Sequence, residues 1–191
     1  MTRILIVPID RIDLNILNIL RDKLTQIFPN TNCNILRDEM PIPRQAYNST
    51  RNQFFSTQIL EALTAYSKPV EADRILGVTS VDLYVPNLNF VFGEAQCPGR
   101  TALISLHRLQ PEFYGFSPNA ELFLERILKE AVHELGHTLG LGHCERLECV
   151  MFFSNSILDT DRKYSSFCKT CNRTLERNLE ILAEKRSPRP R

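Results

Sequence analysis

The sequence predicts an α/β (α+β) chain: a mixed sheet with helices packed on it, then a small C-terminal part of different character. Two observations carry this. Short apolar runs alternate with segments of helical period through the first two-thirds of the chain, the pattern of strand–helix–strand connections. From Leu141 onward that pattern stops, and Cys, Ser, Asp and Asn dominate until a last helical stretch. A length of 191 residues suits one domain. Within it the break separates an N-terminal subdomain, 1–142, from a C-terminal one, 143–185, with 186–191 expected as a disordered tail.

Taken in order, Ile4–Ile9 reads as a buried strand. Asp10 is a candidate cap for a helix whose Leu17, Leu20, Leu24, Ile27 and Phe28 share one face. Cys33–Leu36 reads as a short strand. A helix is expected from about Asn52 to Tyr66, with Phe55, Ile59, Leu63 and Tyr66 forming its apolar stripe. Arg74–Thr79, Phe90–Phe92 and Thr101–Leu106 read as strands separated by Pro, Gly and Asn. A third helix is expected from Ser117-Pro118, with Leu124, Leu128, Ala131 and Leu135 on one face, closing at Gly140. A last helix is expected near Arg173–Lys185.

Bulk composition narrows the function. At 43% hydrophobic and 24% charged residues the chain is ordinary for a soluble globular protein. Its net charge of +1 offers no basic stripe for nucleic acid and no patch for an anionic membrane. No apolar run is long enough to span a bilayer, and the N-terminus lacks the small-residue cleavage site of a signal peptide. A cytoplasmic monomer is therefore expected, in a compartment where thiols stay reduced.

The chemistry concentrates in His133-Glu134-Leu135-Gly136-His137-Thr138-Leu139-Gly140-Leu141-Gly142-His143. Residues four apart share a helical face, so His133 and His137 can point at one ion from consecutive turns. Glu134 can reach a water on that ion without binding the ion itself. His143 cannot stay on the same face, so the chain must leave the helix, and Gly140 is the residue best able to turn it. Three protein ligands plus an open position is the arrangement of catalytic zinc, with Glu134 as general base. The chain has four histidines, and three fall in this window. His107 is read as an ordinary strand-end residue.

Cys144, Cys149, Cys168 and Cys171 follow directly, the last two as Cys-x-x-Cys. Four thiolates would close a tetrahedral, structural zinc site, whereas a redox pair would leave Cys144 and Cys149 unexplained. Two zinc ions per chain are thus expected, one catalytic and one structural. Cys33 and Cys97 are read as buried free thiols. The sharper alternative for Cys97 is a thiol that blocks the catalytic zinc and keeps an enzyme latent. Met151 is a core filler or an apolar floor beneath the histidines.

This run, His133 to Cys171, resembles the archaemetzincins, a branch of the metzincin zinc peptidases. The Phe152–Lys163 linker, Asp82–Ala95 and Gly99–Leu106 are similar too. The resemblance implies a metzincin-like zincin: a twisted mixed sheet with two backing helices, an active-site helix beneath, and a small zinc-stabilised C-terminal subdomain. It also implies a methionine turn at Met151 and an antiparallel edge strand at Phe90, Val91, Phe92 and Gly93 that binds a peptide or protein substrate by strand addition. Glu94, Arg100 and Tyr164 become candidate cleft residues, with surface solvation as their ordinary role. The reading is a zinc metallopeptidase. Aminopeptidase and endopeptidase activity both remain open, as does a noncatalytic zinc-stabilised module that binds a peptide or partner.

Overall fold

The computed structural model describes residues 1–184; the expected tail, 186–191, lies outside the described residues. The elements run β1 (Thr2–Pro8), α1 (Leu14–Ile27), β2 (Thr31–Ile35), β3 (Tyr47–Asn48), β4 (Gln53–Phe55), α2 (Ser56–Tyr66), β5 (Arg74–Thr79), β6 (Leu83–Tyr84), β7 (Gly93–Ala95), β8 (Thr101–Ser105), α3 (Ala120–Thr138), α4 (Ile157–Arg162) and α5 (Lys169–Glu184). Five strands form one mixed sheet in the order β2-β1-β5-β8-β7. The first four are parallel, and β7 closes the edge antiparallel to β8. A small second sheet, β3-β4-β6, stands beside it.

Alternation along the strands divides the core in two. Ile4, Ile6, Leu76, Val78, Ala102 and Ile104 face α1 and α3. Leu5, Val7, Ile75 and Leu103 face α2, whose Ile59 and Leu63 are fully buried against them. The near-continuous apolar character of β1 and β8 follows, because both faces are covered. The C-terminal stretch joins the first of these cores: Val150, Met151, Ile157, Leu175 and Leu179 are buried in the same cluster as the active-site helix.

Several boundaries shift for local reasons. Asp10 takes a left-handed backbone (φ 56°) and accepts from the Ile42 N–H; Asp13 caps α1, accepting from the Asn15 N–H at 2.8 Å. Asn119, rather than Ser117, caps α3 by accepting from the Leu122 N–H at 3.0 Å. Gln53–Phe55 is strand β4 instead of helix, because Asn52 turns the chain at φ 54° and Tyr47 pairs with Phe54. Phe55 therefore leaves the stripe of α2, and Tyr66 is exposed. The expected strand at Phe90–Phe92 is corrected: the regular edge strand starts at Gly93, and Val91 makes only an isolated bridge to Leu83. Helix α5 starts at Lys169, which places Cys171 in its first turn.

Candidate active site

His133 and His137 lie one turn apart on α3, and the helix ends as the spacing requires. Gly140 adopts φ 84°, its N–H donates to the His137 carbonyl, and the Leu141 N–H donates to Gly136. This paired closure of a helix C-terminus reverses the chain and carries His143 back over the two rings. The rings converge, with centroids 4.6 Å apart for His133–His137, 4.8 Å for His137–His143 and 5.4 Å for His133–His143.

Hydrogen bonding settles the tautomers. His133 Nδ1 is 2.7 Å from the Val150 carbonyl, and His137 Nδ1 is 2.7 Å from the Leu141 carbonyl. A carbonyl can only accept, so each Nδ1 carries the proton and each Nε2 presents a lone pair. Those two Nε2 atoms face each other at 3.0 Å. Two lone pairs at that distance repel unless a cation draws both, and tetrahedral Zn–N bonds would set them about 3.3 Å apart. The three histidines form a group with ligand atoms within 4.8 Å of one another. The donor set therefore fits zinc with one side open.

Burial lowers all three histidines; for His133, the most enclosed, the effect is large, and Lys163 and the neighbouring rings add to it. Neutral imidazole is the form that binds a metal. Glu134 is buried beside them, and burial, then Glu130, raises its carboxyl well above the ordinary range. A methyl at Gly93 would meet Glu134 Cγ at 2.6 Å and Oε1 at 2.8 Å. The bare backbone of β7 is what leaves space for the carboxylate.

A methionine packs against α3 between the two helical ligands' turns, at Gly136. Met151 is fully buried, and a methyl at Gly136 would come within 2.5 Å of its Sδ. The tight turn at 149–152, with the Phe152 N–H donating to Cys149, also presents the Val150 carbonyl to His133. The methionine thus packs under α3 while its neighbour orients a ligand.

The four cysteines gather as a second group, again within 4.8 Å of one another. Cys144 Sγ and Cys168 Sγ stand 3.9 Å apart, far beyond a disulfide and close to the roughly 3.8 Å of a tetrahedral Zn–S₄ site. Burial alone would raise Cys168, but backbone and thiol hydrogen bonds from Cys171 and Cys149 bring it down to about 7. The geometry and the donor chemistry fit a second zinc.

Other candidates fall elsewhere. Cys33 is buried, as expected, with burial pushing its thiol to about 12. Cys97 is exposed instead, and its Sγ lies 3.6 Å from the Leu141 carbonyl. That thiol bonds the same carbonyl that accepts from His137 Nδ1, and it is not a member of the gathered histidine group. Glu94 turns to the α2 face and accepts from Thr57 at 2.8 Å; Arg100 binds the carbonyls of Ser67, Val70 and Ala72 behind α2. Neither lines the cleft. Tyr164 is 60% exposed, and His107 stacks edge-on against Phe113.

A cavity of about 200 Å³ opens beside His133 and Glu134. Phe90, Val91, Phe92 and Gly93 all line it, together with Leu88 and Asn89 on one side and Phe153–Asn155 on the other. The residues expected as a substrate strand thus mainly form a cavity wall. Glu130 is part of the floor, ion-paired with buried Lys163 at 3.0 Å and accepting from Thr160 at 3.0 Å. Sequence reading missed this acid, although its place one turn before His133 signals it. Nothing local pointed to Lys163.

A mixed sheet with an antiparallel edge strand over a histidine-bearing helix, and a methionine packed beneath it, defines a zinc-dependent peptidase. Comparison with known proteins agrees. Residues 9–177 match the model of Peptidase family M54. The archaemetzincin of Methanocaldococcus jannaschii is 51% identical over 174 residues, covering 91% of this chain and 93% of that protein. That of Pyrococcus furiosus is 44% identical over 179 residues, covering 92% and 93%. The crystal structure of the Methanopyrus kandleri archaemetzincin superposes with a TM-score of 0.82 at 41% identity, covering 94% of this chain and 96% of that one. A zinc-dependent peptidase from Methanocorpusculum labreanum gives 0.81 at 30% identity, covering 90% and 99%. The chain belongs to the archaemetzincin family of zinc metallopeptidases. Among the described residues no helix is long and apolar enough to cross a membrane.

Proposed function

We propose that this chain hydrolyses peptide bonds with Glu134 as general base, at a zinc held by His133, His137 and His143, while Cys144, Cys149, Cys168 and Cys171 hold a structural zinc. The observation that carries the reading is the pair of Nε2 lone pairs facing each other at 3.0 Å, with Glu134 on the adjoining cavity. Bound zinc supplies a Lewis acid that acidifies water and polarises a carbonyl. Glu134 takes the proton of the attacking water and returns it to the leaving amine. Its burial favours that task, because a carboxylate with raised proton affinity accepts a proton more readily near neutral pH. The Val150 and Leu141 carbonyls keep the first two ligands in register. The free edge of β7 can pair with an extended substrate, and the cavity takes the side chain beside the scissile bond.

Internal cleavage is favoured over removal of N-terminal residues. An aminopeptidase needs an acid free to bind an amine. Glu130 bonds Lys163 and Thr160, while Glu94 bonds Thr57 through one oxygen only, keeps the other unpartnered, and is not among the residues lining the cavity. The net charge of +1 supports a peptide rather than a nucleic acid as partner.

The test is metal content plus a library of N-terminally blocked peptides, for wild type and Glu134→Gln. The expected result is two zinc ions per chain in both, with cleavage reduced roughly 10²–10⁴-fold by the substitution. Zinc-loaded wild type that leaves every peptide intact, or turnover that survives Glu134→Gln, would point to a binding module instead.

A further inference from the structure

We propose that Arg51 and Arg108 are positioning residues that brace the wall of the cavity beside Glu134, and so set which side chains it accepts. The inference rests on the reading of that cavity as a side-chain subsite. Its upper wall, Leu88–Phe92, is irregular backbone without a continuous strand ladder, so something else must hold it. One terminal nitrogen of Arg51 donates to the carbonyls of both Leu88 and Asn89, each at 2.9 Å. Arg51 Nε donates to Gln53 Oε1 at 2.9 Å, and its guanidinium lies 4.4 Å over the Tyr84 ring. The buried Gln53 then donates through Nε2 to the Asn89 carbonyl and to Asp82 Oδ2, each at 3.0 Å.

Asp82 joins this network to the second arginine. Arg108 grips it with two parallel bonds, of 2.7 and 2.8 Å, the geometry in which a guanidinium holds a carboxylate most firmly. The same guanidinium is sandwiched between rings, 4.4 Å from Phe90 and 4.7 Å from Phe113. Phe90 lines the cavity and meets Phe92 edge-on, with centroids 5.0 Å apart. The two arginines therefore act on opposite parts of one wall: Arg51 fixes its backbone, and Arg108 fixes its largest ring. Neither is among the residues that line the cavity, and neither belongs to the histidine group, so each acts through other residues.

The test uses zinc-loaded full-length protein and two dipeptide hydroxamates, identical except for a benzyl or a methyl group on the residue that enters the cavity. Calorimetry gives the affinity for each. Wild type is expected to prefer benzyl by about tenfold or more, from apolar area placed against the wall. In Arg51→Ala and in Arg108→Ala that preference should fall by about tenfold, with methyl affinity and zinc content kept. Arg51 is exposed, so its variant carries the test even where loss of Arg108 unsettles Asp82. A benzyl-to-methyl ratio unchanged in both variants would overturn the brace, as would equal weakening of both probes. A wild type blind to the benzyl group would instead sink the subsite reading, and the brace with it.

Discussion

Gly93 and Gly136 do opposite jobs at the same helix. Gly136 lets Met151 approach α3 from below, and Gly93 lets Glu134 stand beneath the edge strand. A methyl at Gly136 is 2.5 Å from a thioether, the flexible end of a side chain whose surroundings are fully packed. Gly136→Ala should cost about 1–3 kcal/mol by overpacking, read as a lowered denaturation midpoint with an unchanged denaturant slope. A methyl at Gly93 meets both Glu134 and the Leu103 carbonyl at 2.6 Å, and a backbone oxygen cannot step aside. Gly93→Ala should therefore displace the base, lowering kcat by about 10²-fold at unchanged zinc content. A variant with normal kcat would show that Glu134 tolerates a different position. The histidine and cysteine groups were legible in the sequence because their chemistry and spacing are local. The carbonyls of Val150 and Leu141 that set the tautomers were not, since a backbone group leaves no trace in composition.

Among the elements, the long ones were read correctly, because a buried face repeats over several turns: Leu17, Leu20 and Leu24 on α1, Ala131 and Leu135 on α3. Of the short ones, β2, β5 and β8 were read from their apolar runs, while β3, β4, β6 and α4 were lost. Helix α4 has six residues, too few for a periodic signal, yet Ser156 and Asp159 form a capping box that marks its start. Its position matters, since Asp161 takes two bonds from buried Arg126 of α3, at 2.7 and 2.8 Å, and Thr160 bonds Glu130. The segment after Met151 is thus tied to the active-site helix by charge as well as packing. Helix α5 is anchored twice, through Cys168 and Cys171 beside its first turn and through Leu175 and Leu179 in the main core. Replacing Cys168 and Cys171 together by Ser should remove one zinc and expose amides from about residue 143 to 184 to hydrogen exchange, while β1, β5 and β8 stay protected. A double variant that folds cooperatively and keeps full activity would refute a structural role for this metal.

Across the whole molecule, the two metal groups differ in how readily they should empty. The histidine group has three neutral ligands, one of them exposed, whereas the cysteine group has four thiols and no exposed member. A chelator titrated to leave one zinc per chain should therefore vacate the histidines first, and the resulting protein has a pH dependence that can be worked out. Burial lowers His133, His137 and His143 in the fold, against about 6.5 in the unfolded chain. Below that value the unfolded chain holds the extra protons, so stability rises with pH. Burial raises Glu134 in the fold, so above its unfolded value of about 4.3 the folded chain holds the extra proton and stability falls as pH rises. Below about pH 6.5 the three rings make stability rise with pH while the carboxyl opposes them, and above it the rings add no further rise. Stability of the one-zinc protein should accordingly stop rising at about pH 6.5, measured as denaturation midpoints from about pH 5 to 8. Reloading zinc should move the decline to lower pH, because the metal competes with protons for the same imidazoles. A one-zinc protein whose midpoint climbs steadily to pH 8 would mean that the three imidazoles do not govern its stability.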